Sequence, residues 1–356
     1  MKLQLTIDHP AHVHFYKNLL WNLEKDEHEV KIVAGEKEST LDLLDFYGFN
    51  YEILGKHHSG LSRKFIDRFI FNYIFYKASK TFNPDILTSI GGTIVSHVGK
   101  IIRKPSIVFT DTEHAKLGNL LTFPFATTVC TPSCFKKDLG KKQVRYNGYH
   151  ELAYLHPNYF KPDSSVLDKL NLTKNDKFII LRFVSWGASH DIGQKGLDIN
   201  TKREYIKKLE DYGSVFITSE VKLTKDLERY AIRVSQEKIH DLLYYATMYI
   251  GEGATMATEA GILGTPSIYI SSLVGTMGNF DELEKEYGLV YSFKDPQKAL
   301  ERVEGLLHEN NLKSKWRVKR EKLLKEKIDV TKWMTEFIGG YPESFYEYQN
   351  KNVPRN

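Results

Sequence analysis

Short apolar runs alternate with segments of helical spacing along most of the chain, and this alternation constrains the fold more than any other feature. Strands connected through helices pair in parallel, so the pattern predicts parallel sheets with helices on both faces. Such sheets bind ligands at the carboxyl ends of their strands, which makes the loops after Ile7, Ser89 and Phe109 candidate sites. In the first half of the chain, the predicted strands are 2–7, 30–33, 51–54, 85–89, 106–109 and 127–130, and the predicted helices include 15–24 and 41–46.

The alternation stops at 151–164, where two prolines interrupt any period, and then resumes. A chain of 356 residues is long enough for two domains, so this segment predicts a link between them. We predict an α/β fold of two doubly wound Rossmann-like domains facing a cleft, at 1–155 and 164–325, with a helix and tail at 326–356 docking on the first domain. In the second half, the predicted strands are 177–183, 214–218, 231–234, 248–250, 267–270 and 290–291, and the predicted helices are 201–212, 238–245, 280–287, 296–308 and 312–334.

Composition argues against several classes of function. The net charge is +5, with lysine and arginine spread throughout, so no nucleic-acid partner is expected. Cys130 and Cys134 have no second pair and no histidine at zinc-finger spacing, which disfavours a structural zinc site. The few cysteines, the lack of an apolar leader at Met1 and the lack of a run of about 18 apolar residues predict a cytoplasmic protein. The glycine motifs of nicotinamide enzymes, P-loop enzymes and α/β-hydrolases do not occur.

A glycine-rich turn follows the predicted strand at 248–250. Small residues there, Gly253 and Ala254 together with the preceding glycine, predict that a ligand approaches the backbone closely. Thr255 is the predicted cap of the next helix, whose free N–H groups form an anion site. Glu259 lies one turn further, at a position for which we predict shallow burial and two hydrogen bonds to a ribose diol. The alternative is a tight strand-to-helix turn with an ordinary helical glutamate.

Further polar residues follow the first two strands of the second domain. Arg182 ends the first of these strands and can bind a phosphate group through two hydrogen bonds. Ser185 adds a donor, and His190 next to an aspartate is a candidate oriented imidazole. Ser219 and Glu220 end the next strand and are predicted at the same edge of the sheet.

In the first domain, His12 and His14 are predicted at the start of the first helix. A neutral imidazole there can act as a general base for a sugar hydroxyl or donate to a phosphate. A metal site is disfavoured, because these histidines lie on different sides of the helix and no carboxylate has a ligand offset. Asp111 and Glu113 follow a strand, where catalytic acids are usually found in α/β sheets. The alternative is that Asp111 or Thr112 caps a helix.

Two more segments have a predicted binding role. Gly91, Gly92 and Thr93 form a strand end, a glycine pair and a predicted cap, a pattern that suits an anion or an approaching acceptor. The segment 61–80 combines aromatic and apolar residues with lysine and arginine. Such a helix either lies on an anionic membrane surface or packs its apolar stripe on the sheet.

The residues from Gly253 to Pro266 resemble the donor loop of two-domain glycosyltransferases of the GT-B type, and the matching loop of UDP-N-acetylglucosamine 2-epimerase. The whole chain resembles a family of predicted glycosyltransferases, domain of unknown function 354. The segments that carry this second resemblance are 10–15, 109–114, 146–157, 182–186, 190–193 and 238–246. The resemblance implies Gly253, Ala254 and Thr255 as the loop that binds the diphosphate and Glu259 as the ligand of the ribose. Met256, next in the sequence, is a further predicted donor-binding residue.

The epimerase to which the chain is similar uses acids in its first domain and a His-Arg pair in its second. Glu113 stands where one such acid is expected, but Gly92 replaces a second acid and the histidine before Arg182 is absent. These departures favour a transferase, in which the resemblance implies His12 as the base. Arg182 and the helix N-terminus after Gly253 would stabilise the departing nucleotide diphosphate. No Asp-x-Asp motif is present, so we expect no metal and no cofactor besides the nucleotide sugar.

The expected protein is therefore a cytoplasmic, metal-independent glycosyltransferase that uses a UDP-sugar to build a cell-surface glycan or glycolipid. Its expected partners are the donor and a glycan or lipid-linked acceptor, with peripheral contact to the inner face of the membrane through 61–80. The alternatives are a non-hydrolysing nucleotide-sugar epimerase and a binding protein without turnover.

Overall fold

The computed structural model describes residues 1–56, 61–184, 196–220 and 222–352. The chain divides into two compact units. The first unit comprises Met1–Tyr154 and the chain from Ile328 onward, and the second comprises Leu155–Lys327. Each unit is built on its own parallel sheet with helices between the strands, so the predicted fold class of two Rossmann-like domains is confirmed.

Within the described residues, the first unit contains a seven-stranded parallel sheet. Its strands are β1 (Lys2–Ile7), β2 (Glu29–Glu36), β3 (Tyr51–Lys56), β4 (Ile86–Ile90), β5 (Ser106–Phe109), β6 (Thr128–Pro132) and β7 (Gln143–Tyr146). Their order is β3-β2-β1-β4-β5-β6-β7, so the direction of strand addition reverses between β1 and β4. Ligands of doubly wound sheets bind outside the carboxyl ends of the strands at such a switch point.

Helices cover this sheet, and β1 is buried along most of its length, with Leu3, Leu5 and Ile7 fully enclosed. The helices are α1 (Pro10–Lys25), α2 (Thr40–Phe46), α3 (Leu61–Phe82), α4 (Thr93–Ile102), α5 (Lys116–Thr122) and α6 (Leu152–Leu155). Helix α1 begins earlier than the apolar period predicts, because the His9 side chain caps it by accepting from the N–H of Ala11 at 3.1 Å. His12 therefore lies in the first turn of a regular helix.

Helix α3 serves in part as a core helix. Phe71, Phe75 and Ala78 are buried in a cluster with side chains of β2, β4 and α4. Phe69 and Tyr73 remain 75% and 61% exposed. The segment predicted from its aromatic and basic residues thus packs one side on the sheet and leaves an apolar side uncovered. In the part of the chain that the structure describes, no helix is long and apolar enough to cross a membrane.

The second unit contains a five-stranded parallel sheet within the described ranges. Its strands are β8 (Phe178–Phe183), β9 (Ser214–Ser219), β10 (Met248–Gly251), β11 (Ser267–Ile270) and β12 (Val290–Phe293). Their order is β12-β11-β10-β8-β9, which puts the switch point between β8 and β10. The helices of this unit are α7 (Ile199–Leu209), α8 (Ile239–Tyr245), α9 (Ala254–Ile262), α10 (Gly278–Lys285), α11 (Pro296–Leu307) and α12 (Leu312–Glu326).

Two helices complete the first unit at the end of the chain, α13 (Val330–Gly339) and α14 (Glu343–Asn352). The prediction of a single helix over 312–334 is therefore wrong. The backbone adopts an extended conformation at Lys327, which ends α12. Asp329 then caps α13 by accepting from the N–H of Lys332 at 2.9 Å. Between them, Ile328 donates its N–H to the carbonyl oxygen of Asn147 at 2.9 Å, which joins the end of the chain to the first unit.

Four further elements differ from the sequence-based prediction. The predicted strand at 231–234 is a single bridge between Ile217 and Ala231, because the chain pairs with β9 at one position and then leaves it. Strand β7 was not predicted, because its run of four residues is short and contains only two apolar side chains. Leu152–Leu155 lies in the predicted link but forms the buried helix α6, and the aromatic tail after Gly339 forms α14.

The two glycines before α4 differ in how much space their surroundings leave for a side chain. Both residues have a left-handed backbone, with φ of 71° at Gly91 and 61° at Gly92. A Cβ at Gly92 would come within 2.7 Å of Val108 Cγ1, whereas nothing lies within 4 Å of a Cβ at Gly91. A side chain at position 92 would therefore collide with Val108 of β5, whereas position 91 has space for one.

We expect Gly92→Ala to lower the free energy of unfolding by about 2–4 kcal/mol, because left-handed strain adds to overpacking against Val108. Gly91→Ala, the matched control, has the backbone strain alone and should cost about 1 kcal/mol. Equilibrium unfolding in urea measures both values. Equal losses in the two variants would contradict the packing argument.

Candidate functional site

The strand ends at the switch point of the second sheet are packed tightly together. Gly251 lies opposite Arg182, and the next N–H, of Glu252, donates to the Arg182 carbonyl oxygen at 3.1 Å. A Cβ at Gly251 would lie 2.7 Å from Arg182 Cβ and 2.7 Å from Tyr249 Oη. The packing of β10 on β8 therefore requires the glycine by itself, and the approach of a ligand to the backbone at this residue stays a prediction.

Glu252, which follows β10, was missed by sequence analysis. Its side chain is buried, with 4% of the residue exposed. The carboxylate accepts the N–H of Leu197 at 2.6 Å and that of Val184 at 3.4 Å. Glu252 therefore ties Val184, at the end of β8, and Leu197, just before α7, to the end of β10. The predicted Ser185 and His190 fall within 185–195 and lie outside the described residues.

Arg182 and Glu220 are brought together at this edge, as their positions after two neighbouring strands predict. The guanidinium donates from Nη2 to Glu220 Oε1 at 2.6 Å and from Nη1 to Thr218 Oγ1 at 2.9 Å. Ser219 ends the same strand. Arg182 thus has a carboxylate partner, and a phosphate group would share or replace that partner.

Helix α9 begins at the switch point, and among the described residues no side chain caps its N-terminus. Gly253 is the N-cap residue, and its carbonyl oxygen accepts from Tyr249 Oη at 3.1 Å. Ala254 starts the helix, so exposed Thr255 lies inside the first turn and the prediction that it caps α9 is wrong. The first N–H groups of a helix lack intrahelical partners and attract anions. Half-exposed Met256 belongs to the same turn.

Glu259 occupies the second turn of α9 and is only 5% exposed, so the prediction of shallow burial is wrong. Its Oε1 lies 2.9 Å from Nε2 of His240, which is itself 4% exposed. Helix α8 packs against α9 and places the histidine there. A buried carboxylate needs hydrogen-bond donors, and His240 supplies one. The sequence gives a weak signal for this pair, because 19 residues separate its members.

In the first unit, His12 is paired with a carboxylate that sequence analysis did not assign. Its Nδ1 lies 2.9 Å from Asp8 Oδ1, one helical turn earlier, and 17% of the His12 side chain is exposed. The geometry is not that of a hydrogen bond, so the contact is electrostatic, and the Asp8 carboxylate favours the protonated form of the His12 ring. His14 is buried, with its ring 5.5 Å from that of Tyr154 and 6.0 Å from that of Tyr47.

Asp111 and Glu113 follow β5, but they have different surroundings. Helix α5 begins at Lys116, so the alternative that Asp111 or Thr112 caps a helix is wrong. Glu113 is 4% exposed and accepts the N–H of Lys136 at 3.1 Å, which ties this loop to the chain after β6. The Asp111 side chain is 22% exposed. Asp111 is therefore the carboxylate of the two that a substrate can reach.

His150, which follows β7, completes this group and was also missed. Its Nδ1 lies 3.6 Å from Asp111 Oδ2. Burial lowers the pKa of His150; the Asp111 carboxylate opposes this shift, and His12 adds to it. The influence of His12 places the two histidines in one electrostatic environment. The signal in the sequence was the segment 146–157, which carried the family resemblance but was given no role.

The glycine pair after β4 lies at the switch point of the first sheet. Gly92 is the N-cap of α4, and Thr93 bonds through Oγ1 to Thr122 Oγ1 at 2.8 Å. The prediction that Thr93 caps the helix is therefore wrong. Among the described residues, no group of three His, Cys, Asp or Glu side chains could hold a metal ion.

The two sheets and their switch points are those of a two-domain GT-B fold. A UDP-GlcNAc 2-epimerase from Neisseria meningitidis bound to UDP-GlcNAc superposes with a TM-score of 0.69 at 14% identity, covering 95% of this chain and 99% of that chain. The spinosyn rhamnosyltransferase SpnG, complexed with spinosyn aglycone, superposes with a TM-score of 0.59 at 10% identity, covering 95% and 99%. At these identities the likeness is one of fold, and these fold neighbours are enzymes.

The chain belongs to the family described as Protein of unknown function (DUF354), whose profile matches residues 1–336. It is also similar to the Uncharacterized protein MJ0665 of Methanocaldococcus jannaschii. The two are 24% identical over 292 residues, which cover 76% of this chain and 82% of that protein. The family resemblance inferred from the sequence motifs is thus confirmed.

Proposed function

We propose that the protein is a metal-independent glycosyltransferase that takes its sugar from a UDP-sugar. The observation that carries the proposal is the N-terminus of α9, which starts at the glycine N-cap Gly253 and lies beside Arg182 at the switch point of the second sheet. A diphosphate placed there receives backbone N–H groups and a guanidinium. Glu259, on the same helix, is the proposed ribose ligand.

The first unit is the proposed source of the base. His12 accepts the proton of an acceptor hydroxyl while the acceptor oxygen bonds to the anomeric carbon of the sugar. The bond from that carbon to the diphosphate breaks, and UDP leaves with the electron pair. Asp8 stabilises the imidazolium that forms. The α9 N-terminus and Arg182 stabilise the negative charge that grows on the diphosphate.

A nucleotide-sugar epimerase is the second candidate, supported by the fold neighbours that are UDP-GlcNAc 2-epimerases. Against it, position 92 is a glycine packed on Val108 and offers no carboxylate at the first switch point. A binding protein without turnover, the third candidate, would need the donor site but no catalytic residues. The paired His12 and the accessible Asp111 favour a catalytic protein over this third candidate.

We expect UDP to bind the protein and Glu259→Gln to weaken its binding about 10–100-fold, because a neutral amide accepts a weaker hydrogen bond from the ribose. Isothermal titration calorimetry with UDP measures the change. Glu304→Gln, on a half-exposed position of α11, is the matched control and should leave the affinity unchanged. Absence of UDP binding by the unaltered protein would overturn the donor-site assignment.

Incubation with UDP-N-acetylglucosamine separates the two reactions. A transferase should release UDP when a membrane-lipid extract is added as the acceptor source. An epimerase would form the manno epimer from the donor alone, and that product would overturn the transferase proposal.

We expect His12→Ala to lower turnover about 10²–10⁴-fold with little change in UDP affinity, because the proposed base acts on the acceptor and not on the donor. His9→Asn is the matched control, since asparagine preserves the N-cap of α1. Steady-state rates of UDP release and the calorimetric Kd for UDP give the two quantities. Unchanged turnover in His12→Ala would remove this residue from the mechanism.

The proposed acceptor is a precursor of a cell-surface glycan or glycolipid, met at the cytoplasmic face of the membrane. The exposed Phe69 and Tyr73 of α3, with Lys77 beside them, suit contact with an anionic bilayer. We expect the protein to sediment with phosphatidylglycerol vesicles at low salt, and Phe69→Ser with Tyr73→Ser to abolish this. Sedimentation that is unchanged in the double variant would contradict contact through α3.

A further inference from the structure

His150 is a buried imidazole that the proposed reaction leaves without a role. It is 8% exposed and follows β7 directly. Its ring centroid lies 4.8 Å from that of Phe15 and 6.4 Å from that of Tyr146, with the Tyr146 ring nearly parallel at 11°. These aromatic neighbours hold the ring plane, so its nitrogens point in fixed directions.

The two ring nitrogens have opposite surroundings. Nδ1 faces the Asp111 carboxylate, with 3.6 Å to Oδ2. Nε2 is buried, and no hydrogen-bond partner for it is found among the residues that the structure describes. Burial lowers the pKa of His150, so the ring is neutral near pH 7 and carries one proton. A proton on Nδ1 meets a carboxylate oxygen, whereas a proton on Nε2 would be a buried donor without an acceptor.

Asp111 gains a defined orientation from this arrangement. Its Oδ1 accepts from Thr112 Oγ1 at 3.0 Å, and its Oδ2 faces His150. Thr112 donates to the carboxylate, and the His150 ring lies against its other oxygen; both groups are neutral, so neither cancels the charge of Asp111. Part of the side chain remains exposed, which leaves the carboxylate able to accept from a substrate hydroxyl.

We propose that His150 is the positioning residue of Asp111, and that the oriented Asp111 carboxylate accepts a hydrogen bond from a hydroxyl group of a sugar-bearing acceptor. This inference rests on the proposed transferase function. The distance of 3.6 Å is longer than a hydrogen bond, and the proposal requires it to shorten when the acceptor binds. Asp111 then holds the acceptor hydroxyl, and His12 takes its proton.

Two amide variants test which nitrogen matters. The side-chain amide of His150→Asn places an N–H donor near the position of Nδ1, and that of His150→Gln places it near the position of Nε2. Both variants lose the ring and its contacts with Phe15 and Tyr146, so they are matched for lost packing. We expect His150→Gln to lower turnover with the membrane-lipid extract about tenfold or more, and His150→Asn to stay within about threefold of the unaltered protein.

Asp111→Asn should match the loss in His150→Gln, and UDP affinity should be unchanged in all three variants. Equal turnover in His150→Asn and His150→Gln would show that the ring serves packing alone and would overturn the proposal. A change in UDP affinity that accounts for the lost turnover would also overturn it.

The tautomer gives a readout that needs no substrate. Long-range ¹H–¹⁵N spectra of the substrate-free protein should show a neutral ring protonated at Nδ1 near pH 7, assigned by the loss of its signals in His150→Asn. A ring protonated at Nε2, or at both nitrogens, would overturn the proposal. If the unaltered protein turns over no donor, the proposed function fails, and the role in acceptor binding fails with it. The spectra separate that failure from a wrong tautomer assignment.

Discussion

The close passage of β10 along β8 shapes the carboxyl edge of the second sheet. At Gly251 the backbone approaches Arg182 so closely that a Cβ would lie 2.8 Å from the arginine carbonyl oxygen. This contact sets where the chain turns into α9, and therefore where the uncapped N–H groups of that helix point. It also places the Glu252 carboxylate where it accepts from Val184 and Leu197. The proposed diphosphate site depends on this single glycine.

In the first unit, ionisable side chains lie close together at a largely buried edge of the sheet. Two imidazoles each face one carboxylate there, His12 facing Asp8 and His150 facing Asp111. Asp8 and Asp111 follow β1 and β5, and the residues after the edge strand β7 place His150 against Phe15 of α1 and beside Asp111. A carboxylate next to an imidazole favours the protonated ring electrostatically, which suits a group that takes up a proton during a reaction.

Most strands and helices could be predicted because each is encoded by a local period. The failures occur where a local pattern meets a competing contact. The segment at 231–234 has the apolar character of a strand, but its neighbour β9 offers pairing at one position only. The charged stretch from 312 has one helical period, yet Ile328 bonds to Asn147 and breaks it into α12 and α13. Thr255 looks like a cap, but Gly253 already occupies that position.

The sequence by itself determined the α/β class, the family and the loops in which polar residues gather, because these follow from periodicity and from motifs that are continuous along the chain. Tertiary structure decided the partners of those residues. Glu259 lies next to His240 because α8 packs against α9, although 19 residues separate the two along the chain. Asp111 lies next to His150, which follows β7. The local sequence determines on which strand end or helix a side chain lies. Its partner depends on which strands and helices pack against that element.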